Sequence, residues 1–401
     1  MRIHSPDYVQ TLARGFVLSV LALGFYYNCP EWISNWELRT YDFRMGHKSG
    51  RPGPEVVIVT IDSRSVSELG GYPLNRKLYT QVTQQLAAAG AKVIGIDINF
   101  VKADPEDDAF AAAIQAAGNV VLPELFLYDH PFGPPDEPVK DMEVYQAHVG
   151  KPPAEVPVFS SIRPNAARLN AITGKDSAFV NVNMIDDIVV RDAPLAASYR
   201  GRFYPTFGVA IVRRYLDVKP GFLELNGLPK EHVQIGGLSV PTDSSATLHI
   251  NFHGGTNAFA QISFMEVLQG RIPPALFKDK IVLIGVSDGT AHDIWNTPVG
   301  FIPGTQIVAH EIDTILSGSG ISDIRKNALG LLLIPLMGLA GFSWSERTRP
   351  RMIFPGIAAI LIVFVAVETL LFARWGIWLA MVYPALVLVA SSLWTIHKRL
   401  V

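Results

Sequence analysis

The sequence predicts an α/β domain with a mostly parallel sheet and flanking helices. It also predicts an all-α membrane domain of four transmembrane helices, one before the α/β domain and three after it. Three observations carry this reading. Apolar runs occupy residues 15–33, 328–344, 352–373 and 376–396. Each holds about the 17–25 residues that cross ~30 Å of hydrocarbon as a helix. Between the first and second runs, 34–327 alternates strand-like and helix-like segments. The composition suits both parts: 49% of the 401 residues are hydrophobic and mean hydropathy is +0.25, too apolar for a soluble protein and too polar for an all-membrane one.

The front run has a basic flank (Arg2, Arg14) and a small-x-small triplet, Ala22-Leu23-Gly24, features shared with a signal peptide. It is read as a retained anchor. Basic residues then set the orientation. Arg2 and Arg14 precede the first span, Arg347, Arg349 and Arg351 lie between the second and third, and Lys398 and Arg399 follow the fourth. Four spans put all three groups on one side. The expected layout is therefore cytoplasmic 1–14, 345–351 and 397–401, with 34–327 outside. The single cysteine, Cys29, excludes an internal disulfide framework, so the large domain is held by its own core.

Within 34–327, Val56-Val57-Ile58-Val59-Thr60-Ile61 reads as a strand buried on both faces. Leu78, Val82 and Leu86 mark one face of a helix ending near Gly90, and 92–100 is the next strand. The pattern repeats with a helix at 107–117 and a strand at 119–125, which implies parallel strands joined by right-handed crossovers. Residues 128–157, rich in Pro, Gly, Asp and Glu, read as a surface insertion. Strands are expected at 179–183, 188–190, 247–252 and 280–286, and helices at 205–216 and 305–316.

Ligands of open parallel sheets bind outside the carboxyl ends of the strands. Three expected strands end there in small or acidic residues: Asp62-Ser63, Asp97-Ile98-Asn99 and Gly285-Val286-Ser287-Asp288-Gly289. Converging carboxylates hold a cation or a polyol; the plainer alternative is that these Asp and Ser residues cap helices and brace loops. The candidate ligand-binding residues are Asp62, Asp97, Ser287, Asp288, Asp293 and His310. No GxGxxG, GxxxxGK[ST], HExxH or CxxC motif occurs, so nucleotide binding and a metal centre have little support, and neither a cofactor nor catalysis is expected. His249 and His253 lie four strand residues apart, roughly 13 Å, too far to share a metal. A pairing of His292 and Asp293 with His310 remains a lesser metal alternative. The net charge of −2 gives no reason to expect nucleic acid. Glu368 is the one acid inside the closing spans. It is expected to snorkel at the outer interface near Arg374, and is a candidate contact for a membrane partner.

Several stretches together resemble the second type of CHASE domain, the cyclase- and histidine-kinase-associated extracellular sensory domain of bacteria. They are Ile250-Asn251-Phe252-His253-Gly254-Gly255, Glu266-Val267-Leu268-Gln269-Gly270-Arg271-Ile272-Pro273, the run KDKIVLIGVSDGTAHDIWNTPVG, and Pro303-Gly304 through His310. Leu38-Arg39-Thr40-Tyr41-Asp42-Phe43-Arg44, VVIVTIDSRSV and GIDINF agree in the N-terminal half. The resemblance implies a periplasmic α/β sensor domain, without catalytic residues, in a multi-pass protein of the bacterial inner membrane with one span before the sensor and three after. Many members read Asp-Gly-Val-Val-Arg where this chain has Asp187-Ile188-Val189-Val190-Arg191, which removes a glycine turn. Most also continue into a cyclase or kinase after the last span. The expected function is therefore a non-enzymatic sensory or accessory membrane protein that binds a small ligand or a protein outside and couples it to a separate partner. The alternative is a scaffold subunit that senses nothing. A transporter-like subunit is disfavoured because Glu368 is nearly alone as intramembrane charge and inverted repeats are not apparent.

Overall fold

The computed structural model describes residues 17, 20–26, 30–128, 142–147, 155–173, 176–180, 189–226, 231–289 and 293–400. Part of the first expected span lies outside these residues. So do Cys29, most of the 128–157 insertion, residues 181–188 and His292. In chain order the elements that matter are helix α1 (Glu31–Gly46), strand β1 (Val56–Ile61), α2 (Ser63–Glu68), α3 (Arg76–Ala88), β2 (Val93–Ile96), α4 (Asp107–Ala117), β3 (Val120–Val121), α5 (Phe207–Tyr215), β4 (Ala260–Ser263), α6 (Phe264–Leu268), β5 (Ile281–Val286), β6 (Ile294–Thr297), β7 (Gly300–Pro303) and α7 (Gly304–Ser317). Then come β8 (Ser322–Asp323), α8 (Ala328–Arg347), α9 (Pro350–Trp375), β9 (Ile377–Trp378) and α10 (Val382–Leu400). They form two compact units: 49–320, and 1–48 together with 321–401.

The first unit is built on a five-stranded sheet in the order β4-β1-β5-β2-β3, parallel throughout. Every residue of β1, β2 and β5 is buried, as strands covered on both faces must be. On one face Val57, Val59, Ile61, Ile94, Ile96, Val282 and Ile284 pack against Tyr79, Val82 and Leu86 of α3, Phe110 and Ile114 of α4, and Phe264 and Val267 of α6. On the other lie α5 and α7. Gly95 of β2 leaves room for Phe207 and Ile211 of α5: a Cβ there would stand 2.7 Å from Ile211 Cδ1. The expected strand 92–100 ends at Ile96: Asp97 N–H still donates to Ile284 O at 2.8 Å, but Ile98 N–H turns back to Ile96 O at 2.9 Å. The expected strand 119–125 divides at Leu122, since Pro123–Leu127 pairs with Ser161–Arg163 and Ala178–Phe179 instead.

Around this sheet lie an aromatic cluster of Phe126, Phe159, Phe179, Tyr199 and Tyr204, and an antiparallel meander of Leu223–Asn226, His232–Ile235 and Leu238–Pro241. Arg213 of α5 is 1% exposed and meets two acids, Glu143 at 2.7 Å and Asp176.

In the second unit, α8 and α9 are long and apolar enough to cross a membrane, and α10 carries a shorter apolar stretch. The last expected span, 376–396, is cut at its start. Residues 377–378 instead pair as β9 with β8, and α10 begins only at Val382. Pro30 opens α1, so residues 31–33 belong to that helix and not to the front apolar run. Helices α8 and α10 approach closely at Gly341, where a Cβ would stand 2.6 Å from Leu388 O.

The segments that precede and follow 49–320 in the chain converge on the loop between α9 and α10. Glu37 of α1, 4% exposed, accepts the backbone N–H groups of Met381 (3.0 Å), Val382 (2.8 Å) and Tyr383 (3.3 Å). A carboxylate on these otherwise orphaned donors caps α10 and faces the positive end of its dipole. Tyr41 packs between Trp378 (4.5 Å) and Phe372 (5.3 Å). Arg325, held by Asp323 at 2.8 Å, stacks 3.4 Å over Trp378.

Glu368 differs from expectation. It is 2% exposed and lies 3.8 Å from the equally buried Arg44 of α1. It neither snorkels towards Arg374 nor presents a surface to a membrane partner. An acid among apolar helices is tolerated where a cation of the same fold compensates it.

Candidate functional site

A cavity of about 460 Å³ opens at the carboxyl ends of β5 and β2. The chain passes from β2 to α4 on one face of the sheet and from β5 to α7 on the other, so the strand ends diverge there and leave a crevice. Its lining includes Tyr72, Asp97, Asn99, Val286, Asp293, Trp295, Gly304 and Val308.

Asp97 follows β2 directly. Its N–H still donates to Ile284 O at 2.8 Å, which fixes the backbone while the side chain turns into the crevice. Thr305, at the start of α7, donates its hydroxyl to Asp97 Oδ2 at 2.8 Å. That hydroxyl occupies the space above Gly285 of β5, where any Cβ would overlap it. Glycine at 285 is thus what admits the positioning hydroxyl. Asp293 enters from the segment before the β6–β7 hairpin and accepts Trp295 Nε1–H at 2.7 Å. The first residue of α7, Gly304, forms the floor beneath it: a Cβ there would stand 2.6 Å from both carboxylate oxygens.

Two carboxyls therefore share one poorly solvated site. Burial, with the Asp293 charge added, pushes Asp97 up to about 7. Burial likewise raises Asp293, opposed by the Trp295 and Gly304 N–H groups. Tyr72 is raised by burial and by the two acids. Behind the site, Glu311 of α7 accepts Thr206 Oγ1 at 2.7 Å and is pushed up to about 7, chiefly by burial.

Of the six candidates named from sequence, the fold brings Asp97 and Asp293 together in the cavity. The other four are not among its lining residues. Asp62 caps α2 by accepting Ser65 N–H at 2.7 Å. Ser287 accepts the Thr60 hydroxyl at 2.5 Å, and Asp288 is buried. His310 sits in the core against Phe252 and Phe259, with its ring nitrogens 2.8 Å from Gln306 O and 3.2 Å from His253 O. Burial pushes it down to about 4. No group of three or more metal-ligating side chains occurs among the described residues. His249 pairs with Asp192, and His253 lies 3.2 Å from Asp313.

Sequence reasoning missed Tyr72, Trp295, Thr305 and Gly304. Only the polar-aromatic run Asp293-Ile294-Trp295-Asn296-Thr297 hinted at a hairpin edging a site.

A parallel sheet with an open crevice at its carboxyl ends, lined by two acids, has the place and the shape of a ligand site. The family model of the CHASE2 domain matches residues 16–345, and the chain belongs to that family. A CHASE2 domain is a sensory domain of the extracellular or periplasmic type, not a catalytic one. Comparison with curated proteins and with solved structures returns no match.

Proposed function

We propose that the chain is a multi-pass sensory protein of a bacterial inner membrane. Residues 49–320 face the periplasm and take a small ligand in the cavity between Asp97 and Asp293. Four transmembrane helices, one before and three after the α/β domain, carry the response to a partner protein, with both termini in the cytoplasm. The observation that carries this reading is the open 460 Å³ cavity with its two carboxyls. A scaffold subunit would have no need of such a void, which forfeits packing contacts in the middle of a domain.

The positions of the basic residues support the orientation. The joining of α1, β8 and the α9–α10 loop supports the coupling. A displacement of either connection to the α/β domain acts on the Glu37 cap of α10 and on the Arg44–Glu368 pair. A ligand shifts this arrangement only by its differential affinity for two states.

Native mass spectrometry of the full chain released from membranes tests the reading. A retained small molecule, lost when Val308→Trp fills the cavity, is the expected result. Protein partners that stay bound to that variant, with no small molecule on either form, would establish the scaffold reading instead.

A further inference from the structure

We infer that the cavity takes a small organic cation, an ammonium group carried on an aliphatic or aromatic body. This rests on the reading of the cavity as a ligand site and names the class of ligand.

The first argument is charge. Asp97 and Asp293 are the charged groups lining the cavity, and no lysine, arginine or histidine joins them among the described residues. Elsewhere Glu143 is paired with Arg213 and Glu368 with Arg44, while the buried Glu124 and Glu311 are held by neutral hydrogen-bond donors. Here the compensating charge is left to the ligand.

The second argument is hydrogen-bond direction. The Trp295 N–H is given to Asp293, the Thr305 hydroxyl to Asp97, and the Asn99 amide to Pro123 O at 3.1 Å. These three donors are thus committed within the protein, and the Tyr72 hydroxyl is left facing the cavity. Asp97 Oδ1, by contrast, accepts no hydrogen bond from a described residue. The ligand must bring donors, and an ammonium brings up to three together with its charge. An anion would confront two carboxyls. A neutral polyol would leave their mutual repulsion in place.

The third argument is shape. A cavity of about 460 Å³ is far larger than a metal ion, and the rings of Tyr72 and Trp295 suit an organic cation through their negative faces.

Binding such a cation favours the doubly ionised pair, so at pH 7 it expels a fraction of a proton into solution. The titratable groups facing Asp97 are Asp293, Tyr72 and Glu311.

The test is calorimetric titration of the full chain in detergent at pH 7 with benzylamine, benzyl alcohol and benzoate, in two buffers of different ionisation enthalpy. The probe comparison is made on the unaltered chain, so it does not depend on a variant folding. Expected are benzylamine binding at least tenfold tighter than either other probe, release of protons, and loss of that preference in Asp293→Asn. Equal or tighter binding of benzyl alcohol or benzoate would overturn the cation assignment and leave a ligand cavity of another class. Saturable binding by none of the three would overturn the assignment, and Val308→Trp then decides the ligand-site reading itself: a native ligand lost from that variant preserves it, and none on either form removes it.

Discussion

Replacing Asp97 by Asn should make the protein more stable above neutral pH, although it removes an acid from the candidate site. In the unfolded chain this carboxyl ionises near its ordinary value of 3.8, whereas in the fold it stays protonated up to about 7. The folded state therefore binds more protons across that window, and stability falls as pH rises through it. Each unit of displacement is worth about 1.4 kcal/mol, so the full shift amounts to on the order of 4 kcal/mol. Solvent reaching the cavity and the proton shared with Asp293 reduce what one substitution recovers to about 1–3 kcal/mol. The amide keeps the Thr305 hydrogen bond, since its oxygen still accepts. His310 acts in the opposite sense. Pushed down to about 4 by burial, it destabilises the fold as pH drops below its ordinary 6.5. Variant and parent must therefore be compared at each pH. Thermal unfolding of the detergent-solubilised full chain from pH 4 to 8.5 is the assay. The advantage of Asp97→Asn should be near zero at pH 4 and reach roughly 2–8 °C at pH 8. An advantage independent of pH, or a variant less stable than its parent at pH 8, would refute the reasoning.

Three further outcomes follow from packing and charge. Gly304→Ala drives a Cβ into the Asp293 carboxylate and should weaken benzylamine binding about tenfold or more, read by calorimetry, with a small change in unfolding temperature. Glu37→Ala leaves the first amides of α10 without their acceptor and should cost about 2–4 kcal/mol, measured by unfolding in detergent, while Glu37→Gln recovers part of the loss. Arg213→Ala strands the buried Glu143 and should cost about 3–5 kcal/mol at pH 8, while Asp176 keeps Arg214 at 3.3 Å. Unfolding curves should show the deficit shrinking towards pH 4, as Glu143, raised by burial, protonates.

The parallel sheet was legible because β1 and β5 are continuous apolar runs, which sequence periodicity reads directly. Strand β4, Ala260–Ser263, was missed. It is short, lies at the sheet edge and is largely exposed, so it carries no such run. The rule that ligands gather at strand carboxyl ends selected Asp97, whereas Asp293 entered through its sequence neighbour His292 and a pairing with His310 that the cavity does not include. The same rule also selected Asp62, whose own helix claims its carboxylate. Local capping and a shared cavity place the same residue types at the same offsets, and only the fold separates them. His310 failed as a site residue because its helical position faces the core. Glu368 was misread because its cation, Arg44, comes from a helix at the other end of the chain. Such long-range pairing leaves no local trace.

The central claim is that the Asp97–Asp293 cavity is where this sensory domain takes its ligand and from which the response starts. Hydrogen exchange of the full chain, with and without saturating benzylamine, tests it most directly. Slower exchange is expected at 95–99 and 293–305, accompanied by a change at 376–383 where α1, β8 and α10 meet. Protection confined to other segments, with 95–99 and 293–305 unchanged, would contradict it.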